Sequence, residues 1–438
     1  MKKFISTVKN IFSIEDLRTR IVNTIGFLII FRLGSFIVLP GVDPSLVESK
    51  QAQDGILGLL NMFAGGSFAR SSVFALGVMP YISASIVVQL LGIAVPSFQK
   101  MQKEGESGRK KLTQYTRYLT VFITAIQAIG YVKTQIKPEA ILIDLTTFYI
   151  MSGFVLTAGT LFVMWLGEKI TDKGIGNGIS IIIFTGIVAG LPSALGSTLE
   201  LARTGAFSIP LVFFLFAATI LVTALVVFVE RGQRKITVNY AKRQVGNKLY
   251  GGQTSHLPLK LNMAGVIPPI FASSIILFPA TLAGWFGSSE KMLWLKDIGA
   301  AISPGQPIYI FLFALAIVFF CFFYTALVFN PKETADNLKK GGAFVPGIRP
   351  GEQTAKYIDQ IMGRLTLVGA VYITLVCLLP EFLILKFNVP FYFGGTSLLI
   401  IVVVTMDFMT QVQSHLMSYQ YEGLLKKANF KGGANALR

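Results

Sequence analysis

Few side chains in this 438-residue chain could make or break covalent bonds, and those that could stand alone. Cys321 and Cys377 both lie inside apolar runs, where a thiol reads as a small core residue and not as half of a disulfide or a metal site. His256 and His415 are too far apart in sequence to form a ligand pattern. The chain has no HExxH, no GxxxxGK[ST] loop and no pair of carboxylates within its apolar runs. An intramembrane protease or lipid transferase is therefore disfavoured, no cofactor is expected, and any ATP use belongs to a partner. What remains is cationic chemistry. Arg349 sits in Pro346-Gly347-Ile348-Arg349-Pro350-Gly351, a turn-rich tip that would hold a guanidinium outward for carboxylate or phosphate. Lys242, Arg243 and Lys248 form a second basic cluster. Arg32 lies deep in an apolar run, where a charge is a functional hypothesis by default. Its nearest carboxylates, Asp16 and Asp43, fall outside that run, so the sequence names no partner for it.

The elements that must carry these groups are membrane helices. The chain is 53% hydrophobic and 14% charged, with a mean hydropathy of +0.63, against about 25% charged in a typical soluble domain. A helix needs about 20 apolar residues to cross the hydrocarbon core. Runs at 21–39, 74–95, 118–136, 148–167, 178–195, 208–229, 263–283, 307–329, 365–385 and 392–411 meet that need. The expected class is an all-α polytopic membrane protein of ten transmembrane helices. The basic N-terminal segment, residues 1–20, has no clean signal-peptide core or cleavage site, so no cleavage is expected.

The net charge of +17 suggests nucleic acid until its placement is considered. With the N-terminus cytoplasmic, 30 of the 39 Lys and Arg residues fall in cytoplasmic segments, 8 outside, and Arg32 within a span. That asymmetry predicts two cytoplasmic termini. Residues 77–86 align without gaps on residues 265–274, with Gly, Val, Pro, Ile, Ala and Ser identical in register. These runs are the second and seventh spans. An offset of five predicts two inverted five-helix halves, divided as 1–207 and 208–438, with a transport path between them.

Longer motifs in the connecting segments are more specific. Residues 101–118 read MQKEGESGRKKLTQYTRY, 164–183 read MWLGEKITDKGIGNGISIII and 228–245 read FVERGQRKITVNYAKRQV. Residues 329–357 read FNPKETADNLKKGGAFVPGIRPGEQTAKY and 391–397 read FYFGGTS. In order and spacing these resemble the bacterial SecY family, the channel subunit of the Sec protein translocase. The resemblance runs from FRLGS (31–35) to LLKKAN (424–429).

The resemblance implies a passive, non-enzymatic channel in the bacterial plasma (inner) membrane for unfolded secretory polypeptides, with sideways release of membrane segments. It implies SecE and SecG as small partners, SecA or a ribosome as driver, and preproteins with signal sequences as cargo. The family's pore ring maps to Ile82, Ile86, Ile183, Ile187, Ile270 and Ile400. Branched apolar side chains suit a collar that excludes ions yet offers moving cargo no strong hydrogen bond. Residues 55–70, too short to span, correspond to the plug, including Leu59, Leu60, Met62, Phe63 and Phe68, with Gly65 and Gly66 expected to loosen its junction. Ser83, Ser85, Gln89, Ser273, Ser274 and Phe278 correspond to the lateral gate, where small residues permit a tight yet separable seam. The basic segments 230–262 and 330–364, with Lys242, Arg243, Lys248 and Arg349, correspond to the surface that docks SecA or ribosomal RNA through its phosphates. Asn177 is a further polar candidate near the pore entrance. The competing reading is a secondary transporter for a small solute. Spans two, five and seven hold no Asp, Glu or His, which counts against proton coupling but leaves sodium coupling through carbonyls and hydroxyls open.

Overall fold

The computed structural model describes residues 11–46, 55–205, 208–240, 243–245, 248–250, 254–286, 301–302, 306–387 and 395–435. Every apolar run predicted to span coincides with a helix. These are α1 (Glu15–Gly34), α3 (Met79–Ala94), α5 (Glu106–Gln135), α6 (Leu145–Lys173), α7 (Gly178–Arg203), α8 (Ile209–Glu230), α9 (Ile267–Phe286), α10 (Pro307–Val328), α12 (Glu352–Phe387) and α13 (Gly395–Asn435). Shorter helices α2 (Gly55–Phe63), α4 (Pro96–Lys103) and α11 (Pro331–Lys340) lie between them.

By length and apolarity, six described helices qualify as spans, and a seventh if α3 and α4 count together. The others differ for identifiable reasons. Helix α1 carries Arg18, Arg20 and Arg32, and the apolar part of α5 is diluted by Thr120, Thr124, Gln127, Lys133 and Gln135. Helix α9 is apolar over its 20 residues, and its described side chains reach only to Leu277 apart from Pro279. Helix α3 stops at Val95, which is extended (φ −112, ψ 121) because Pro96 follows, and the chain bends by 102° into α4. The outer face of α8, with Phe213, Ile220, Leu221 and Phe228 exposed, is the face a lipid or a partner helix must cover.

The chain forms two compact units. One comprises Met1–Leu195, Thr281–Gly299 and Val404–Arg438, and the other Gly196–Ala280 and Ala300–Val403. In the first, Leu39, Ala64, Phe68, Leu76, Tyr131, Phe148 and Leu156 share one core. Helix α6 starts where Asp144 accepts from the Thr146 and Thr147 amides, a side-chain cap that satisfies its first free donors. Helix α5 packs between α3 and α6. Its buried stripe carries a ladder in which Thr116, Thr120 and Thr124 donate to the carbonyls of Leu112, Thr116 and Thr120 at 3.0, 2.7 and 2.6 Å.

In the second unit the basic segment after α8 forms a small sheet. Strand β1 (Gln233–Tyr240) pairs antiparallel with β4 (Thr254–Lys260) in the register Gln233–Lys260 to Asn239–Thr254. Strand β5 (Ala343–Phe344) joins its other edge, and β2 (Arg243–Val245) pairs with β3 (Lys248–Tyr250). Ile236 and Leu259 turn inward onto Val345, Ile358 and Met362, while the charged residues of β1 stay exposed. The alternation Ile236, Val238 and Leu257, Leu259 was visible in the sequence, but each run is short and surrounded by charge.

Candidate functional site

The repeat found in sequence is also a repeat of conformation. Gly77 and Gly265 both take the left-handed region, at φ +54 and +63. Each is followed two residues later by a helix with proline in its first turn, α3 in one case and α9 in the other. The amides of Ile82 and Ile270 bond the carbonyls of Val78 and Val266 at 3.0 and 3.4 Å. Ala84 and Ala272, aligned in the repeat, are both fully buried.

The six isoleucines expected to form the ring are all buried. Ile82 and Ile86 lie on α3 and Ile183 and Ile187 on α7, in the first unit; Ile270 on α9 and Ile400 on α13 lie in the second. Spacing of four puts each first-unit pair on one helix face.

Around the seam residues, the Gln89 amide donates to Ser85 Oγ at 3.0 Å, and Ser83 and Ser85 are half-buried. Ser273 and Ser274 are buried, and both hydroxyls donate to the Ile270 carbonyl, at 2.9 and 2.8 Å. Both hydroxyl protons are thus spent within α9. The backbone of Phe278 lies in α9, and its side chain falls outside the described residues.

Helix α2 and the turns after it form the segment expected to act as plug. Phe63 is buried, Leu60 and Met62 are half-buried, and the Leu59 side chain falls outside the described residues. Phe68 follows the helix and belongs to the core, edge-on to Tyr131 at 4.8 Å between centroids. The Tyr131 hydroxyl donates to the Phe68 carbonyl at 2.7 Å.

The glycine junction is tighter than its composition suggested. Gly65 and Gly66 are left-handed at φ +66 and +83, as only glycine readily permits. The Gly66 amide bonds the Asn61 carbonyl at 2.8 Å, and Asn61 Oδ1 accepts from the Ala69 amide at 2.9 Å. A Cβ on Gly186 would stand 3.0 Å from the Phe63 carbonyl and 3.1 Å from the Gly65 amide, so this turn meets α7 backbone to backbone. Gly186 lies between Ile183 and Ile187 on that helix. Arg32 also finds its partner here, donating from Nη1 to the Gly65 carbonyl at 2.7 Å. A backbone carbonyl 33 residues away leaves no sequence signature, which is why reading the sequence missed it.

Arg349 is exposed at its turn. Gly347 and Gly351 flank it at φ +80 and +108, and the Thr354 hydroxyl donates to the Arg349 carbonyl at 2.9 Å. Ile348 packs into the core beneath the sheet, so its neighbour is turned outward. Lys242 lies outside the described residues, as do the side chains of Arg243 and Lys248, whose backbones belong to β2 and β3.

Asn177 has a structural task. Its Oδ1 accepts from the Ile179 and Ser180 amides at 3.1 and 3.3 Å, capping α7. A polar clasp that the motifs did not flag closes the second unit. Asn262 donates to Glu230 Oε1 at 2.7 Å and to the Gly265 carbonyl at 3.1 Å, and accepts from the Gly265 amide at 3.0 Å. It thus ties the end of α8 and the end of the hairpin to the start of α9. Cys321 and Cys377 are buried and free. Among the described residues, no cluster of His, Cys, Asp or Glu could hold a metal ion.

A family model described as SecY matches residues 72–409. The chain is 59% identical to the "Protein translocase subunit SecY" of Vibrio cholerae, over 96% of each chain. It is 58% identical to the protein of the same description from Escherichia coli K12, over 95% of this chain and 96% of that one. The fold is similar to that in "The structure of a protein conducting channel", with a TM-score of 0.65 and 17% identity over 91% of this chain and 92% of that one. It is also similar to "Sec61 in the Canine ribosome-channel complex from the endoplasmic reticulum", with a TM-score of 0.62 and 17% identity over the same shares.

Proposed function

The chain belongs to the SecY family, and on that footing we propose how its parts divide the work of a protein-conducting channel. It is a multi-pass membrane protein and a translocase subunit that lets polypeptide through. The observation that carries this is the likeness to translocase subunits over nearly the whole of both chains. That likeness favours a channel over a small-solute transporter.

The collar is the isoleucine set Ile82, Ile86, Ile183, Ile187, Ile270 and Ile400. Their uniform burial supports this, as does the contact of the 63–66 turn with Gly186, between two of them. Residues 55–70 are the plug that closes the path from outside. The seam through which membrane segments leave lies at the second and seventh spans, α3 and α9, in halves 1–207 and 208–438. The hydroxyls of Ser273 and Ser274, both spent on the Ile270 carbonyl of their own helix, support it.

The hairpin and the Arg349 turn form the docking surface, for SecA or for phosphates of ribosomal RNA. The exposed, glycine-framed guanidinium supports this. SecE and SecG complete the complex in the bacterial plasma membrane, with both termini cytoplasmic. The chain itself is a conduit and no enzyme, with the driving force supplied by its partners.

The test places a photoreactive residue at Ile183 in the complex and stalls a secretory polypeptide midway with SecA and ATP. A crosslink to cargo that requires ATP is expected. With translocation verified by protease protection, no crosslink at Ile183 or at Ile86 removes the collar assignment. If no cargo engages at all, the channel reading fails.

A further inference from the structure

Arg32 is the one basic side chain deep in the first apolar run, and its partner is no carboxylate. Its Nη1 reaches the carbonyl of Gly65, just past the C-terminal end of α2. The carbonyls of Leu60, Asn61 and Met62 are taken by the amides of Ala64, Gly66 and Gly65, and the cation sits just beyond them, near the negative end of the helix. The guanidinium also lies over the Phe36 ring, with Cζ 4.8 Å from the centroid, while Arg70 lies 4.4 Å from the same centroid. One face of Arg32 is thus held by an aromatic ring while its edge holds the plug. On its other side the same turn sits against Gly186, where a Cβ on Gly65 would come within 3.0 Å of the Gly186 Cα. The end of α2 is gripped between a cation and a glycine notch.

We infer that Arg32 is the latch of the plug: a positioning residue that sets how readily α2 leaves its seat and therefore how strict the channel is about signal sequences. This rests on the reading of residues 55–70 as plug. A guanidinium stays protonated at any working pH, so this latch opens by competition and not by titration. A charge-assisted hydrogen bond carries roughly ten- to a hundredfold in an equilibrium, enough to hold a short helix down and little enough for a signal sequence to overcome. Lysine can supply the charge but not the fork and the flat face together, so it should replace Arg32 only in part.

The experiment uses the full channel complex with R32M, R32K, G186A and a deletion of residues 57–63. It reads resting ion leak in proteoliposomes, export of a reporter with a defective signal sequence, and labelling of L60C by a membrane-impermeant maleimide. R32M is expected to raise all three on the order of tenfold, with R32K raising them less. A purely structural role for Arg32 would lower accumulation without moving labelling or stringency in the protein that does assemble.

If R32M leaves all three at the parent level while the deletion raises leak, the latch is wrong and the plug stands. If the deletion is silent too, both fall. Should R32M fail to accumulate, G186A carries the test with Arg32 intact, because its methyl group unseats the same turn. The same three increases then support a gripped seat, and unchanged readouts overturn it.

Discussion

Gly77 and Gly265 stand at the same point of the two repeats, three residues after Phe74 and Asn262. The turn is shared, and what holds it is not. In the first half the Gly77 amide bonds the Phe74 carbonyl at 2.9 Å, and the Phe74 side chain joins an aromatic stack with Phe31 of α1 and Phe162 of α6, at 6.2 and 5.8 Å. In the second half the Gly265 amide bonds the Asn262 side chain, which also holds Glu230. One helix start is wedged by dispersion beside Ala64, and the other is tied by hydrogen bonds to the end of α8. Duplicated backbone geometry has thus been kept while the connection to the surroundings diverged.

The largest expected effect lies on the aromatic side. Phe74→Ala should cost about 3–5 kcal/mol, read as a shift in denaturation midpoint in mixed micelles, because a buried ring is replaced by a cavity. Asn262→Leu should cost about 2–3 kcal/mol in the same assay, by stripping the Gly265 amide and Glu230 of a partner. If its cost were negligible, the polar tie would be decorative and the contrast between halves would dissolve.

Gly34→Ala sharpens the comparison further. A Cβ there would fall 2.0 Å from Cε2 of the Phe74 ring. It should cost about 1–3 kcal/mol by overpacking and be relieved when combined with Phe74→Leu. Simple additivity in that double-mutant cycle would show that the two positions do not press on each other. The smallest effect tests what the halves share. Gly77→Ala and Gly265→Ala should each cost about 1 kcal/mol, from the left-handed backbone alone. Among the described residues, chain neighbours apart, the nearest atom to the first Cβ is at 3.6 Å, and none lies within 4 Å of the second. A large difference between the two would mean that the turns are not equivalent.

The long helices were legible because a span writes a continuous apolar run, and the Arg349 turn because Pro and Gly frame it in six consecutive residues. The repeat was legible for the same reason, since a ten-residue stretch aligns without gaps and six of its positions are identical. What escaped were contacts made by single residues across long separations. Arg32 meets Gly65 and Asn262 meets Glu230 through one hydrogen bond each, at separations of 33 and 32 residues. Neither leaves a pattern that periodicity can detect. The β-hairpin was hidden differently, its alternating positions being outnumbered by the lysines and arginines around them.

The threonines of α5 also shape its packing. Thr116, Thr120 and Thr124 each donate the hydroxyl proton to their own helix, so that face meets its neighbours mainly through methyl groups. Its packing against α3 and α6 therefore rests on the fit of small branched side chains, with these three hydroxyl protons already spent inside the helix.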